Sequence, residues 1–292
     1  MLSRRAFLGA CAVPFLGREH QNSNMFGDAE AYERFMGRWS RLLAPLLVDF
    51  AGAPDGARVL DVGSGTGALA SAIAERNGRS HIVGIDPSQE YVAYATSKNP
   101  VPDRASFQVG DAQQLSFPDA AFEACLSLLV FNFIPDPKKA LLELRRVTKP
   151  GGVIAAANWD YSDGMRMLRV FWDAARGVDA AAEKLDENRM PLCRAGELSE
   201  LWRQAGLRNI HQQPLEITMR FQSFADYWEP FLLRQGPAGA YAASLQPDRL
   251  RALRGEMKKR LSLSDEDSSF TLTARAWAVR GFCPASLVSQ RG

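Results

Sequence analysis

Residues 59–70 read VLDVGSGTGALA. An apolar run enters a turn with glycine at 63, 65 and 67, and a small-residue helix leaves it. No other segment restricts the fold as tightly. Glycine admits positive φ and lets a ligand approach the backbone, so three glycines in one turn mark a junction suited to close contact. The helix beyond points unpaired N–H groups at the turn, which favours an anion there. Gly63, Gly65 and Ala68 also satisfy the G-x-G-x-x-G/A spacing of dinucleotide sites. A strand–turn–helix of this kind belongs to an α/β chain, and the rest of the sequence supplies the alternation.

Short apolar runs at 58–62, 81–85, 105–109, 122–126 and 153–158 read as strands, with helices at 67–76, 88–97 and 138–147 between them. Ser88 is placed to cap its helix, and Lys149-Pro150-Gly151-Gly152 stops the last one. This alternation implies a parallel sheet with helices on both faces. Upstream, 28–51 has helical period, with Tyr32, Phe35, Met36 and Trp39 on one face; Pro45 is expected to divide it into two helices. Downstream come helices at 164–179 and 195–206, then strands at 208–221 and 270–279. A helical insertion at 222–266 separates those strands and opens with Phe224, Tyr227, Trp228 and Phe231. The expected units are a leader at 1–24, an N-terminal helical lid at 25–54 and a ligand-binding core at 55–160. The remainder, 161–292, is expected to complete the sheet and to carry a substrate cap at 222–266.

Carboxylates stand at the strand ends. Asp61 precedes Gly63 by two residues and separates two candidate ligands. A pyrophosphate on this turn would be repelled by about 1–4 kcal/mol at 4 Å, for dielectrics between water and ~20. S-adenosyl-L-methionine has no phosphate; its methionine end carries an ammonium, a sulfonium and a carboxylate, which suit a turn offering one carboxylate and several N–H groups. Asp86 ends the second strand in VGIDPSQ, where an α/β crevice places the acid that accepts ribose hydroxyls. Asp111, followed by Ala112, ends the third strand and is positioned to accept from an adenine amino group.

Taken in order, VLDVGSGTG, VGIDPS, GDAQQLSFPD and FEACLSLLVFNFIPDPKKALLELRRVTKPGG resemble the successive motifs of class I S-adenosylmethionine-dependent methyltransferases. Within that class they are most similar to the branch containing the ubiquinone/menaquinone-biosynthesis C-methyltransferases. The resemblance is strong over about 55–160. It implies a Rossmann-like seven-stranded sheet of order 3-2-1-4-5-7-6, the last strand antiparallel, with the helical insertion between the last two strands. It also implies residue roles. Asp61, Gly63, Ser64, Gly65 and Gly67 would wrap the methionine end. Asp86, with Pro87 and Ser88 beside it, would hold the ribose, Asp111 and Ala112 the adenine, and Leu128 would offer its carbonyl to the ammonium. Tyr32 and Arg38 of the N-terminal helix are candidate lid contacts. Relatives often carry His-His before the I-P-D-P turn, where this chain has Asn132-Phe133, so catalysis by histidine is not carried over.

The activity implied is methyl transfer to a small-molecule acceptor, driven mainly by positioning. Asp160 and Tyr161, just after the fifth strand, are the candidates for acceptor contact or base work. Two other readings remain: a cofactor-binding regulatory or scaffold protein without methyl transfer, and a nicotinamide-dependent oxidoreductase, which Asp61 disfavours. With 35 basic and 33 acidic side chains, the net charge of +2 gives no electrostatic case for nucleic acid. Four scattered cysteines form no CxxC and read as reduced thiols, with no metal site expected. No apolar stretch is long enough to span a bilayer, so no stable membrane association is expected. The opening MLSRRAFLGACAVPFLGREH resembles a twin-arginine export signal with a short, proline-interrupted apolar run. Either it directs export or it lies upstream of a true start at Met25; apart from it, the chain reads as cytoplasmic.

Overall fold

A computed structural model describes residues 28–285; the leader expected at 1–24 lies outside them. Seven strands, β1 (Arg58–Val62), β2 (His81–Asp86), β3 (Ala105–Val109), β4 (Phe122–Leu128), β5 (Thr148–Trp159), β6 (Arg208–Phe221) and β7 (Phe270–Phe282), form one sheet of order β3-β2-β1-β4-β5-β7-β6. Strands β1 to β5 pair in parallel. Strand β7 runs antiparallel to both β5 and β6 and is the one reversed strand. The expected topology is therefore observed. Central strands β1 and β4 are covered on both faces, and their near-continuous apolar sequences follow from that.

Helices Ala68–Arg76, Gln89–Ser97 and Pro137–Val147 make the crossovers. Ser88 caps the second by accepting the Tyr91 N–H at 3.3 Å. Asp136 caps the third through the Lys139 N–H at 2.9 Å. All three crossovers leave the carboxyl ends of β1, β2 and β4, so the loops that follow those strands gather along one edge of the sheet.

The N-terminal segment departs from expectation at two places. Pro45 does not divide it: helix Arg38–Ala51 runs straight through. The carbonyl that Pro45 deprives of a donor belongs to exposed Arg41, where water can reach it. Leu43, Ala44, Leu47 and Val48 are buried on either side, and their packing outweighs the roughly 3 kcal/mol cost of an interior proline. The break comes earlier, as a π-helical turn over Glu33–Gly37. Gly37 permits it, since a Cβ there would lie 2.4 Å from the Glu33 carboxylate. The buried Glu33 pairs with Arg41.

The 222–266 insertion is not a free-standing cap. Phe224, Tyr227 and Phe231 are fully buried in the same core as the N-terminal helix and helix Arg166–Val178. Phe231 stacks on Phe171 at 4.6 Å and meets Phe35 edge-on at 5.3 Å. The Tyr227 hydroxyl donates to the Met167 carbonyl at 2.9 Å, and Arg38 pairs with Asp226 at 2.6 Å. The aromatic run that opens the insertion is thus interior packing. Among the described residues no helix is long and apolar enough to cross a membrane, and no His/Cys/Asp/Glu group could hold a metal ion.

Candidate active site

A crevice of about 550 Å³ opens along the carboxyl edge of the sheet. It begins beside Asp111, Ala112 and Gln113 after β3, passes Asp86, Pro87 and Ser88 after β2 and Gly63 and Gly65 after β1, and reaches Leu128–Val130 and Trp159 at the ends of β4 and β5. Adjacent strands lie about 4.8 Å apart, so this path covers roughly 19 Å. Tyr32, with Phe35 and Met36 from the π-helical turn that follows it, closes it from above.

The glycine turn is held from below. Gly63 and Ser64 donate to the Ile85 carbonyl at 2.8 and 2.9 Å, tying the turn to β2. Gly63 has φ +70°, and a Cβ on it would lie 2.4 Å from the Val130 side chain; no other residue fits. Gly67, at φ +91°, starts the following helix but faces a second, smaller pocket, not the crevice.

Asp86 organises the centre. Its Oδ2 accepts the Gly65 N–H and its Oδ1 the Ser88 N–H, both at 2.9 Å, so one carboxylate joins the β1 and β2 turns. Burial raises its pKa, against the pull of those two donors. Asp61 lies beneath the turn, fully buried, with neither carboxylate oxygen hydrogen-bonded, and does not line the crevice. Burial, then the Asp86 charge, push its pKa up to about 8; the Ala70 N–H, nearby but outside hydrogen-bonding geometry, lowers it only in part. Ser64 is likewise buried with an unpartnered hydroxyl. Asp111 is exposed and accepts from the Gln113 backbone N–H at 2.8 Å and from its side-chain amide at 3.2 Å.

Of the two residues after β5, only Tyr161 lines the crevice. Burial, with Glu187 adding to it, raises its phenol well above the usual range. Asp160 points its carboxylate at Arg275 of β7, 2.7 Å away, and accepts the Ser162 hydroxyl at 2.5 Å. Burial alone would raise Asp160, but the Ser162 and Arg275 bonds hold it below the ordinary carboxylate range. It forms an ion pair and does not line the crevice. Arg38 also turns from the crevice to Asp226, whereas Tyr32 lines it. Asn132 donates to the Met190 sulfur at 3.3 Å, and Phe133 lines the crevice.

Tyr91, Trp159 and Glu187 are among the lining residues that the sequence did not single out. Tyr91 and Trp159 follow once the helix after β2 and the full length of β5 are known. Glu187 has no local signal, since its placement depends on contacts with a helix some fifteen residues earlier.

The sheet order, the glycine turn after β1 and the acids at the ends of β1 and β2 define the class I methyltransferase fold. Residues 60–156 match a family profile described as "Methyltransferase domain". It is 38% identical over 120 residues to a 2-methyl-6-phytyl-1,4-hydroquinone methyltransferase of Synechocystis sp., covering 41% of this chain and 37% of the relative. It is 37% identical over 166 residues to a demethylmenaquinone methyltransferase of Renibacterium salmoninarum, covering 56% and 66%. The chain thus spans between about a third and two thirds of these curated relatives. Among solved structures, it superposes on a Haemonchus contortus phosphoethanolamine N-methyltransferase 2 in complex with S-adenosyl-L-methionine with a TM-score of 0.57 and 18% identity, covering 92% of this chain and 60% of that one.

Proposed function

We propose that this chain transfers a methyl group from S-adenosyl-L-methionine to a small-molecule acceptor. The sign of charge in the crevice carries the reading. Asp86, Asp111 and Glu187 line it, and among the described residues no Lys, Arg or His does. A dinucleotide would bring two phosphate charges to three carboxylates and no cation. A sulfonium and an ammonium meet the charge they need. The orphaned carboxyl of Asp61 fits as well, because a cation on the turn above favours its ionised form.

In this reading Asp86, with Pro87 and Ser88, holds the ribose end, and Asp111 and Ala112 hold the adenine edge. The methionine end rests on Gly63 and Gly65, with Asp61, Ser64 and Gly67 supporting them from beneath and Leu128 facing the ammonium. When bound, the donor supplies a methyl carbon on a cationic sulfur, whose neutral leaving group needs no acid. The chain's own part is then to position the acceptor and keep water out. Well-oriented groups reach effective molarities of about 10⁵–10⁸ M, so positioning can provide much of the acceleration. Tyr32, Phe35 and Met36 do the covering, and Trp159, Tyr161 and Leu168 wall the acceptor end. The relatives named above for a hydroquinone and a demethylmenaquinone agree with an acceptor of small-molecule class.

Titration calorimetry tests this directly: S-adenosylmethionine and S-adenosylhomocysteine should bind, and NAD should not. Binding of NAD with indifference to S-adenosylmethionine would reverse the assignment.

Asp61 gives the binding a pH signature. With its pKa raised to about 8 from the ordinary 3.8, the free protein holds a proton there at neutrality. A bound cation favours the carboxylate, so the proton is released and affinity climbs with pH until about 8. The free protein shows the opposite sign: a raised carboxyl pKa contributes stability below its unfolded value, and that contribution is lost as pH rises toward 8. Calorimetry at pH 7 in buffers of different ionisation enthalpy should report proton release for the wild type and markedly less for Asp61→Asn. Equal release by both would remove Asp61 from the account.

A further inference from the structure

The acceptor end of the crevice contains one carboxylate that makes no assigned hydrogen bond to the donor. Its walls are Phe35, Met36, Trp159, Tyr161 and Leu168, and Glu187 stands among them, buried. Glu187 Oε2 accepts the Trp172 indole N–H at 2.7 Å. Oε1 has no protein partner among the described residues.

Glu187 is held in place from behind. The preceding Asp186 receives the Arg169 guanidinium, with one contact at 3.0 Å, and Arg176 as well. Asp186 also caps the short turn Glu187–Arg189 by accepting the Asn188 N–H at 2.9 Å. These bonds fasten the turn to helix Arg166–Val178, so Glu187 is not free to swing into solvent. Trp172 requires one acceptor. The second oxygen is left to the crevice, where a donor entering the cavity can reach it.

We infer that Glu187 accepts a hydrogen bond from the hydroxyl of an uncharged, largely apolar acceptor and takes its proton during methyl transfer. The inference rests on the reading of the crevice as a methyltransferase site. The walls make the acceptor apolar. Among the described residues no basic side chain lines the crevice to pair an anionic one, Arg169 being engaged by Asp186, and a second cation would be repelled by the donor. As the acceptor oxygen bonds to the methyl carbon, the electron pair of the broken carbon–sulfur bond stays on sulfur and the hydroxyl proton passes to Glu187 Oε1. A sulfonium, an alcohol or phenol and a carboxylate become a neutral thioether, an ether and a carboxylic acid, with charge conserved. Burial raises the Glu187 carboxyl to about 7, against the Trp172 bond and the Arg169 charge, with Asp186 adding to the rise. A base matched to neutral pH suits such a transfer. The charged and titratable groups facing it are Arg169 and Asp186, with Tyr161 in the crevice wall and Cys193 close enough to feel its charge.

The full chain, saturated with S-adenosylhomocysteine, provides the test, with 2-naphthol and 2-methoxynaphthalene as probes that differ in the donor hydrogen. By calorimetry the wild type should prefer naphthol about 10- to 100-fold, the range of one hydrogen bond to a charged group. That preference should strengthen as pH rises through about 7. Glu187→Gln keeps an oxygen for Trp172, so it should bind S-adenosylhomocysteine within about twofold of wild type. Its naphthol preference should fall to about threefold or less and lose its pH dependence. Glu187→Asp should weaken naphthol binding yet keep the pH dependence. Equal binding of both probes by the wild type, no binding of naphthol, or an unchanged preference in Glu187→Gln would overturn the inference. Failure of the wild type to bind S-adenosylhomocysteine would overturn it together with the reading it rests on.

Discussion

Asp86→Ala is expected to weaken S-adenosylmethionine binding by about 10- to 1000-fold. Charge-assisted hydrogen bonds are worth about 1.5–3 kcal/mol each, and each 1.4 kcal/mol is tenfold in affinity. The loss has two sources. The carboxylate faces the crevice as the proposed acceptor for ribose hydroxyls, and it also accepts the Gly65 and Ser88 N–H groups. From sequence alone the side chain is expected to face only the ligand, and the substitution to leave folding nearly untouched. The two turn bonds change that expectation: Asp86→Ala should also lower the melting temperature of the free protein. They likewise make Asp86→Asn less benign than an isosteric change suggests. Its one carbonyl oxygen can serve Gly65 or Ser88, and its NH₂ then confronts the other donor. Asparagine should therefore restore only a small part of the affinity. Calorimetry and thermal melts of the three proteins check both effects. Wild-type affinity in Asp86→Ala would return the glycine turn to an ordinary βα junction.

The parts of this molecule that were legible in the sequence are those with local causes. A glycine turn between an apolar run and a helix, Ser88 before its helix, and strand-end carboxylates at regular intervals act over a few residues, and each stands where it was expected. Even the long pair β6 and β7 was readable, because a half-exposed strand alternates. What was not legible depends on distant partners. The position of Asp160 was read correctly, but its carboxylate is engaged by Arg275, 115 residues later. The π-helical turn that brings Phe35 and Met36 over the crevice has no periodic signature, and the buried Glu33 beside Gly37 is intelligible only afterwards. Asp61 was expected to face the ligand; it lies under the turn, where burial converts a strand-end acid into a neutral-range titrating group. Glu187 is the extreme case, a residue whose role depends on Trp172, Arg169 and Asp186 acting together.

Deleting residues 224–264 and bridging the ends should yield no folded protein. A separable cap would be expected to leave cofactor affinity nearly intact and to remove only turnover. The packing argues otherwise. Phe224, Tyr227 and Phe231 are fully buried. Truncating one such ring costs about 3–5 kcal/mol, so three together match the whole stability of a typical domain, about 5–15 kcal/mol. The deletion would also strand Arg38 without Asp226 and uncover Phe171 and Phe221, which the insertion covers. Phe35 would lose Phe231 behind it, and with it the wall of the crevice. Phe231→Ala isolates one ring of the set. It should lower the urea-unfolding free energy by about 3–5 kcal/mol with little change in the slope of the transition. It should also weaken S-adenosylhomocysteine binding, through the loosened Phe35–Met36 turn, by less than Asp86→Ala does. A soluble deletion variant that melts cooperatively and binds S-adenosylhomocysteine would make the insertion a cap after all, and these aromatic contacts incidental to the fold.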